Sequence, residues 1–263
     1  MSGSRRACAA ISRRMPLPPH VMTTWLDVNR GHDGTTSGSA VTAWTDRMGN
    51  RSFAQATGSE QPTWSPTGYA GLRGIRFDGS NDVLTHAAAP FDGATTAYLL
   101  FVFGGATQEK YWWSSPDGIA GTNGFDVQLT ATTPSTLTVR VKTDSALSSS
   151  NLFASYSSQG RLVLEAYVNL AATPDVTVIT DDDVIGTTNA GTVLDQDGGQ
   201  MVIGGFSDGG FSSFAAADMT VFLILTRPLS IGERRRVRRW ARRHHGAGPP
   251  IGNWRDASIT EVI

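Results

Sequence analysis

From residue 21 onward, short apolar runs alternate with turn-forming residues at fairly regular spacing, the pattern of many short strands. The runs predict strands at 23–28, 40–44, 74–77, 97–103, 110–114, 125–130, 136–142, 161–169, 176–180, 200–204 and 219–226. Asp-Gly pairs at 78–79, 92–93, 117–118, 197–198 and 208–209 mark turns between them. Many strands with no helices alternating between them predict an all-β fold of two packed antiparallel sheets.

One segment breaks the pattern. Ser230-Ile231-Gly232-Glu233 reads as a capping box, in which the Ser hydroxyl accepts from the backbone while Glu233 reaches back. Val237, Trp240, Ala241 and His244 then fall on one face at helical spacing, and Gly246 with Pro249 ends the run. A helix over 231–245 follows, resting on the sandwich by that face.

The flanks differ from the middle. Residues 1–20 form a basic, Pro-rich arm, with Arg5, Arg6, Arg13 and Arg14 ahead of Pro16, Pro18 and Pro19. Nothing in the arm can form a core, so those arginines are expected to hold it against another subunit. The domain proper is expected at 21–246, with a tail at 247–263.

Composition narrows the classes. A 40% hydrophobic content supports a full core, and 29 glycines suit tight turns. The formal net charge of −1 gives the molecule no overall field for nucleic acid or membrane. Cys8 stands alone, so no intrachain disulfide is available. No apolar run reaches membrane-spanning length, and the basic N-terminus lacks the apolar stretch of a secretory leader.

Several stretches together resemble the concanavalin A-like, LamG-type domains. Trp25-Leu26-Asp27 is followed by Trp44-Thr45-Asp46-Arg47-Met48-Gly49-Asn50, Gln61-Pro62 and then Arg76-Phe77-Asp78-Gly79-Ser80-Asn81-Asp82-Val83-Leu84. The end matches as well, in Met201-Val202-Ile203-Gly204-Gly205, the run from Met219 to Leu225, Pro228-Leu229-Ser230 and Glu233-Arg234. The resemblance implies a two-sheet antiparallel jelly-roll sandwich with one C-terminal helix. It also implies a usual role in binding glycans or proteins, in phage virion and bacterial surface proteins.

Glycosidases need two carboxylates at a set separation. Glu60, Glu109, Glu165, Glu233 and Glu261 are scattered, and none has an Asp two residues on. Gly205-Phe206-Ser207-Asp208-Gly209 has the letters of a nucleophile elbow, but Gly210 follows where a helix must start. The reading is therefore of a non-enzyme without a cofactor. Asp181, Asp183, Asp195 and Asp197 offer hard oxygen ligands for calcium; the simpler reading makes both acidic clusters turns. On a regular strand Trp112 and Trp113 face opposite sides, so one ring could pack inside while the other stacks on a sugar or meets a subunit. Trp25, Trp44 and Trp64 are read as core. The seven arginines between 234 and 243 are read as a solvated helix face or a contact with an acidic neighbour.

The expected function is a non-enzymatic phage virion structural or receptor-binding component, contacting cell-surface glycan or neighbouring subunits, with homo-oligomerisation open. The alternative is a bacterial extracellular glycan-binding or adhesion module.

Overall fold

The computed structural model describes residues 17, 24–49, 51–68, 73–88, 91, 93–104, 110–119, 122–130, 136–143, 146–148, 161–172, 176–179, 184–187, 193–194, 200–207, 211–212 and 214–245. In chain order the strands are β1 (Thr24–Asp27), β2 (Ala43–Thr45), β3 (Ser52–Ala54), β4 (Thr63–Ser65), β5 (Gly74–Asp78) and β6 (Leu84–His86). Then come β7 (Thr96–Gly104), β8 (Lys110–Ile119), β9 (Thr122–Thr130), β10 (Thr136–Thr143), β11 (Ala146–Ser148) and β12 (Arg161–Asn169). The last are β13 (Val176–Ile179), β14 (Val184–Thr187), β15 (Met201–Ile203), β16 (Phe206–Ser207), β17 (Phe211–Ser212) and β18 (Ala216–Leu225), followed by α1 (Ile231–His245).

Two eight-stranded antiparallel sheets make the sandwich. One runs β14-β13-β12-β7-β18-β5-β4, with β1 also on β18, and the other runs β11-β10-β9-β8-β15-β6-β3-β2. The expected two-sheet jelly-roll sandwich with a single C-terminal helix is therefore what the chain forms.

The central strands of the first sheet, β7 and β18, are buried on both faces. Along β7, Ala97, Leu99, Phe101 and Phe103 enter the core between the sheets, while Tyr98, Leu100 and Val102 enter a second core beneath α1. That period of two is the pleat itself. In β18 it changes phase at Thr220. Met219 lies in the sandwich core, Val221 in the core beneath the helix, and Phe222 back in the sandwich core. The register against β7 shifts between Met219 and Val221, so Thr220 is the extra residue of a β-bulge.

The second core includes Trp25, Leu229, Val237, Trp240 and Ala241. Leu17 joins it at 2% exposure, which corrects the reading that nothing in the arm contributes to a core. The arm's arginines lie outside the described residues.

Both turn and cap chemistry appear as the sequence implied. Asp82 accepts a 2.8 Å bond from the backbone N–H of Asp78, and Asp78 accepts one of 2.7 Å from that of Ser80. Gly79, at φ 81°, completes the turn. At α1, Ser230 Oγ accepts from Glu233 N–H at 3.3 Å, while Glu233 accepts from Ser230 N–H at 2.9 Å.

Three expectations need correction. Asp117-Gly118 is not a turn but lies within β8, where register shifts at Ser115, Pro116 and Ile119 absorb the irregular residues. The helical face buries Val237, Trp240 and Ala241 as expected, but takes His245 in place of His244 and adds Arg234. Arg238 does not face solvent, because its side chain is 13% exposed and lies 3.2 Å from the Glu165 carboxylate. The short strands β3, β4, β6, β11, β14, β16 and β17 add to the predicted set; runs of two to four residues carry almost no periodicity of their own.

Candidate functional site

At one end of α1, a cleft of about 600 Å³ opens between the helix C-terminus and the loop that follows β1. Asp27, Asn29, Arg30, Arg47, Arg73, Trp240, Arg243, His244 and His245 line it. Four arginines thus face a single carboxylate.

The floor is built from the two motifs that open the domain. Asp27 ends β1 and is 3% exposed. Its Oδ2 accepts from Arg47 Nη1 at 2.8 Å. Its Oδ1 accepts from the backbone and the side chain of Asn29, at 2.9 and 3.0 Å. The first of these is the local bond by which Asp shapes a turn. Both carboxylate oxygens are therefore engaged. Arg47 arrives from the turn that follows β2, where Asp46 accepts from Met48 N–H and Gly49 takes φ 74°. The backbone N–H of Arg47 donates to Trp25 at 2.8 Å, and its guanidinium lies 4.2 Å from the centre of the Trp25 ring. Trp25 in turn meets the Trp240 edge at 5.8 Å.

The Thr220 bulge ties the walls together. Its carbonyl accepts from Val28 N–H at 2.9 Å, and its hydroxyl donates to the Arg73 carbonyl at 3.0 Å. One displaced backbone unit thus places both Arg-bearing loops, the use to which bulges beside sites are commonly put. Arg73 also donates to Asn29 at 3.4 Å. Arg30 and Arg243 are exposed and make no ion pair among the described residues.

A second charged cluster lies beneath α1, away from the cleft. Glu165 on β12 is fully buried, at 2.6 Å from Arg234 Nε and 3.2 Å from Arg238 Nε. Tyr98 donates at 3.2 Å to Glu165 Oε2, the oxygen that also faces Arg238. Burial, with the Glu165 charge beside it, holds the Tyr98 hydroxyl well above its ordinary pKa, so it stays a donor. This cluster fastens the helix to the sheet.

The residues expected to carry function are placed differently. Trp113 pairs through its backbone with Ile203 and with Val127, and the register against β9 shifts between Tyr111 and Trp113. Trp112 is therefore a bulge residue rather than part of a regular alternation; the two side chains lie outside what is described. Asp181, Asp183, Asp195 and Asp197 lie outside the described residues, as do Arg5, Arg6, Arg13 and Arg14. Among the described residues no group of three His, Cys, Asp or Glu could hold a metal ion, and no helix is long and apolar enough to cross a membrane. Trp25, Trp44 and Trp64 are core residues, at 5%, 0% and 9% exposure. The cleft itself was not foreseen: Arg47 stood within a noted motif and Arg243 among the helix arginines read as a solvated face or an acidic neighbour's contact, while Arg30 and Arg73 were not singled out.

No family model matches the chain, and no curated protein matches it in sequence. Among solved structures, the Trypanosoma rangeli sialidase in complex with sialic acid superposes with a TM-score of 0.56 at 12% identity, over 86% of this chain and 33% of the sialidase. The covalent intermediate of that sialidase with 2,3-difluorosialic acid gives 0.54 at 10% identity, again over 86% and 33%. The SAP-like pentraxin of Limulus polyphemus gives 0.47 at 13% identity, over 62% of this chain and 78% of the pentraxin. This chain spans about a third of the sialidase's length. What it shares with the sialidase is the β-sandwich fold.

Proposed function

We propose that this domain is a non-enzymatic binding module, a virion structural or receptor-binding component that holds a glycan or a neighbouring subunit. The observation that carries the reading is the cleft at the helix end. Its volume lies within the range of roughly 300–1,000 Å³ usual for small-molecule sites. Two of its lining residues, Asp27 and Arg47, belong to motifs through which the chain resembles lectin-like domains, and Arg47 rests on the Trp25 ring of the first motif.

The chemistry of the lining supports binding over turnover. Asp27 is its one carboxylate, and both its oxygens are already occupied. Most glycosidases pair such an acid with a second carboxylate. Ile231, at 37%, is the one exposed large apolar side chain among the described residues, so recognition there rests on polar contacts rather than a greasy patch. The virion setting comes from the lectin-like resemblance, and a bacterial surface module remains the alternative.

A glycan array probed with the full chain, paired with a hydrolysis assay on any glycan retained, tests the reading. Retention without turnover is expected. Turnover that disappears on replacing Asp27 would replace the module with an enzyme.

A further inference from the structure

The charge of the cleft identifies a ligand class, and this step rests on the binding-module reading above. We propose that the cleft takes an acidic sugar, with its anionic group between Arg30 and Arg243. The lining holds Arg30, Arg47, Arg73 and Arg243 against Asp27 alone. Arg47 is committed to Asp27 at 2.8 Å, and Arg73 reaches Asn29. Arg30 and Arg243 remain, exposed and without an ion pair among the described residues: one lines the cleft from the loop after β1, the other from the last turn of α1.

Two exposed guanidiniums lining one cleft, whose one carboxylate is already engaged by Arg47 and Asn29, give it a positive potential that favours an anion. Their planar forks suit a carboxylate or sulfate bidentately. The cationic side chains of α1 do not fill this role for each other. Arg234 and Arg238 are turned to Glu165, whereas Arg243, His244 and His245 point into the cleft lining.

The sugar part of the proposal rests on shape and on the remaining groups. The cleft is much larger than an oxyanion needs, at about 600 Å³. Asn29 and the arginines supply donors for hydroxyls, and the largely buried Trp240 ring borders the cleft. An extended acidic peptide would favour an open groove or a sheet edge over a cleft bounded by a helix end and a loop.

Calorimetric titration of the full chain tests the proposal with four probes: glucuronate, galactose 6-sulfate, glucose and sodium sulfate. Arg30→Glu and Arg243→Glu accompany the parent. Because both positions are exposed and unpaired, the variants should keep the parent's circular dichroism, with a small fall in melting temperature for Arg243→Glu, whose carboxylate meets the negative end of the helix. The expected result is that an acidic sugar binds about tenfold or more tightly than glucose, weakens as salt rises, and loses about tenfold in each variant. Preference for glucuronate or for galactose 6-sulfate assigns the anion as carboxylate or sulfate. Sulfate binding as tightly as either acidic sugar would reduce the site to an ion site and overturn the sugar. Glucose binding equally well, with both variants unaffected, would overturn the anionic ligand yet leave the binding module standing. No binding of any probe overturns the proposal; the glycan array then decides separately whether the module reading also falls.

Discussion

The carboxylate of Glu165 lies 2.6 Å from Nε of Arg234, and the two residues are 0% and 9% exposed. Sixty-nine positions apart in sequence, they join the central part of β12 to the first turns of α1. A buried carboxylate held by two arginines and a tyrosine survives because each desolvated charge has a counterpart. Loss of the carboxylate leaves two guanidiniums under the helix with no anion. Glu165→Gln should therefore destabilise the domain by about 3–5 kcal/mol. Arg238→Ala, which leaves Arg234 and Tyr98 on Glu165, should cost about 1–2 kcal/mol. Chemical denaturation of both variants checks the order, and equal effects would count against the pairing.

Trp240 is the largest side chain holding α1 to the sheet. It is 5% exposed and packs edge-on against Trp25 and His245, with ring centres at 5.8 and 5.2 Å. Trp240→Ala should cost about 3–5 kcal/mol. A helix of this length does not hold its shape alone in water, so helical ellipticity should fall in the same thermal transition. A melt unchanged from the parent would mean that the helix is held by its ion pairs instead.

The cap at the start of α1 should be measurable by mutation and by pH. Ser230→Ala removes the bond to Glu233 N–H and should cost about 1 kcal/mol. The Arg227 side chain and then the Ser230 N–H hold Glu233 at a pKa of about 2 instead of 4.5. Because the folded value is depressed, its contribution is present above 4.5 and is lost as pH falls toward 2. In Glu233→Gln that portion of the acid destabilisation should be absent, which acid titration of the melting temperature would reveal.

Asp82 should act in the opposite sense. Burial is the main cause of its rise from 3.8 to about 6, opposed by the Asp78 N–H and reinforced by the Asp78 charge. A raised folded value favours the protonated acid in the native state, so this contribution is full below 3.8 and is lost as pH rises toward 6. Asp82→Asn can still accept from Asp78 N–H. It should narrow the difference in stability between acidic and neutral buffer by about 1–2 kcal/mol, allowing for partial solvent screening. Denaturant midpoints on both sides of this range would test it.

Local chemistry was readable from the chain because its partners are close in sequence. Ser230 and Glu233 are three residues apart, and Asp78, Gly79 and Asp82 span a single turn. Strand 161–169 was also legible, since its alternation persists over nine residues. What escaped depended on which element packs where. The pleat predicts two faces for β18, but only pairing with β7 reveals the bulge at Thr220 that exchanges them. Helical spacing selected the apolar stripe of α1, yet Arg234 and Arg238 turn inward because β12 brings a buried carboxylate beneath them. The cleft is the extreme case. Its arginines come from positions 30, 47, 73 and 243, and no periodicity links them. Sequence by itself determined the strands of strong alternation, the helix and its cap, and the all-β class, because hydrophobic period and capping are local properties of the chain. Tertiary structure alone decided the bulge phase, the burial of Glu165 and the gathering of the arginines, because each depends on the desolvation and charge supplied by a partner distant in sequence.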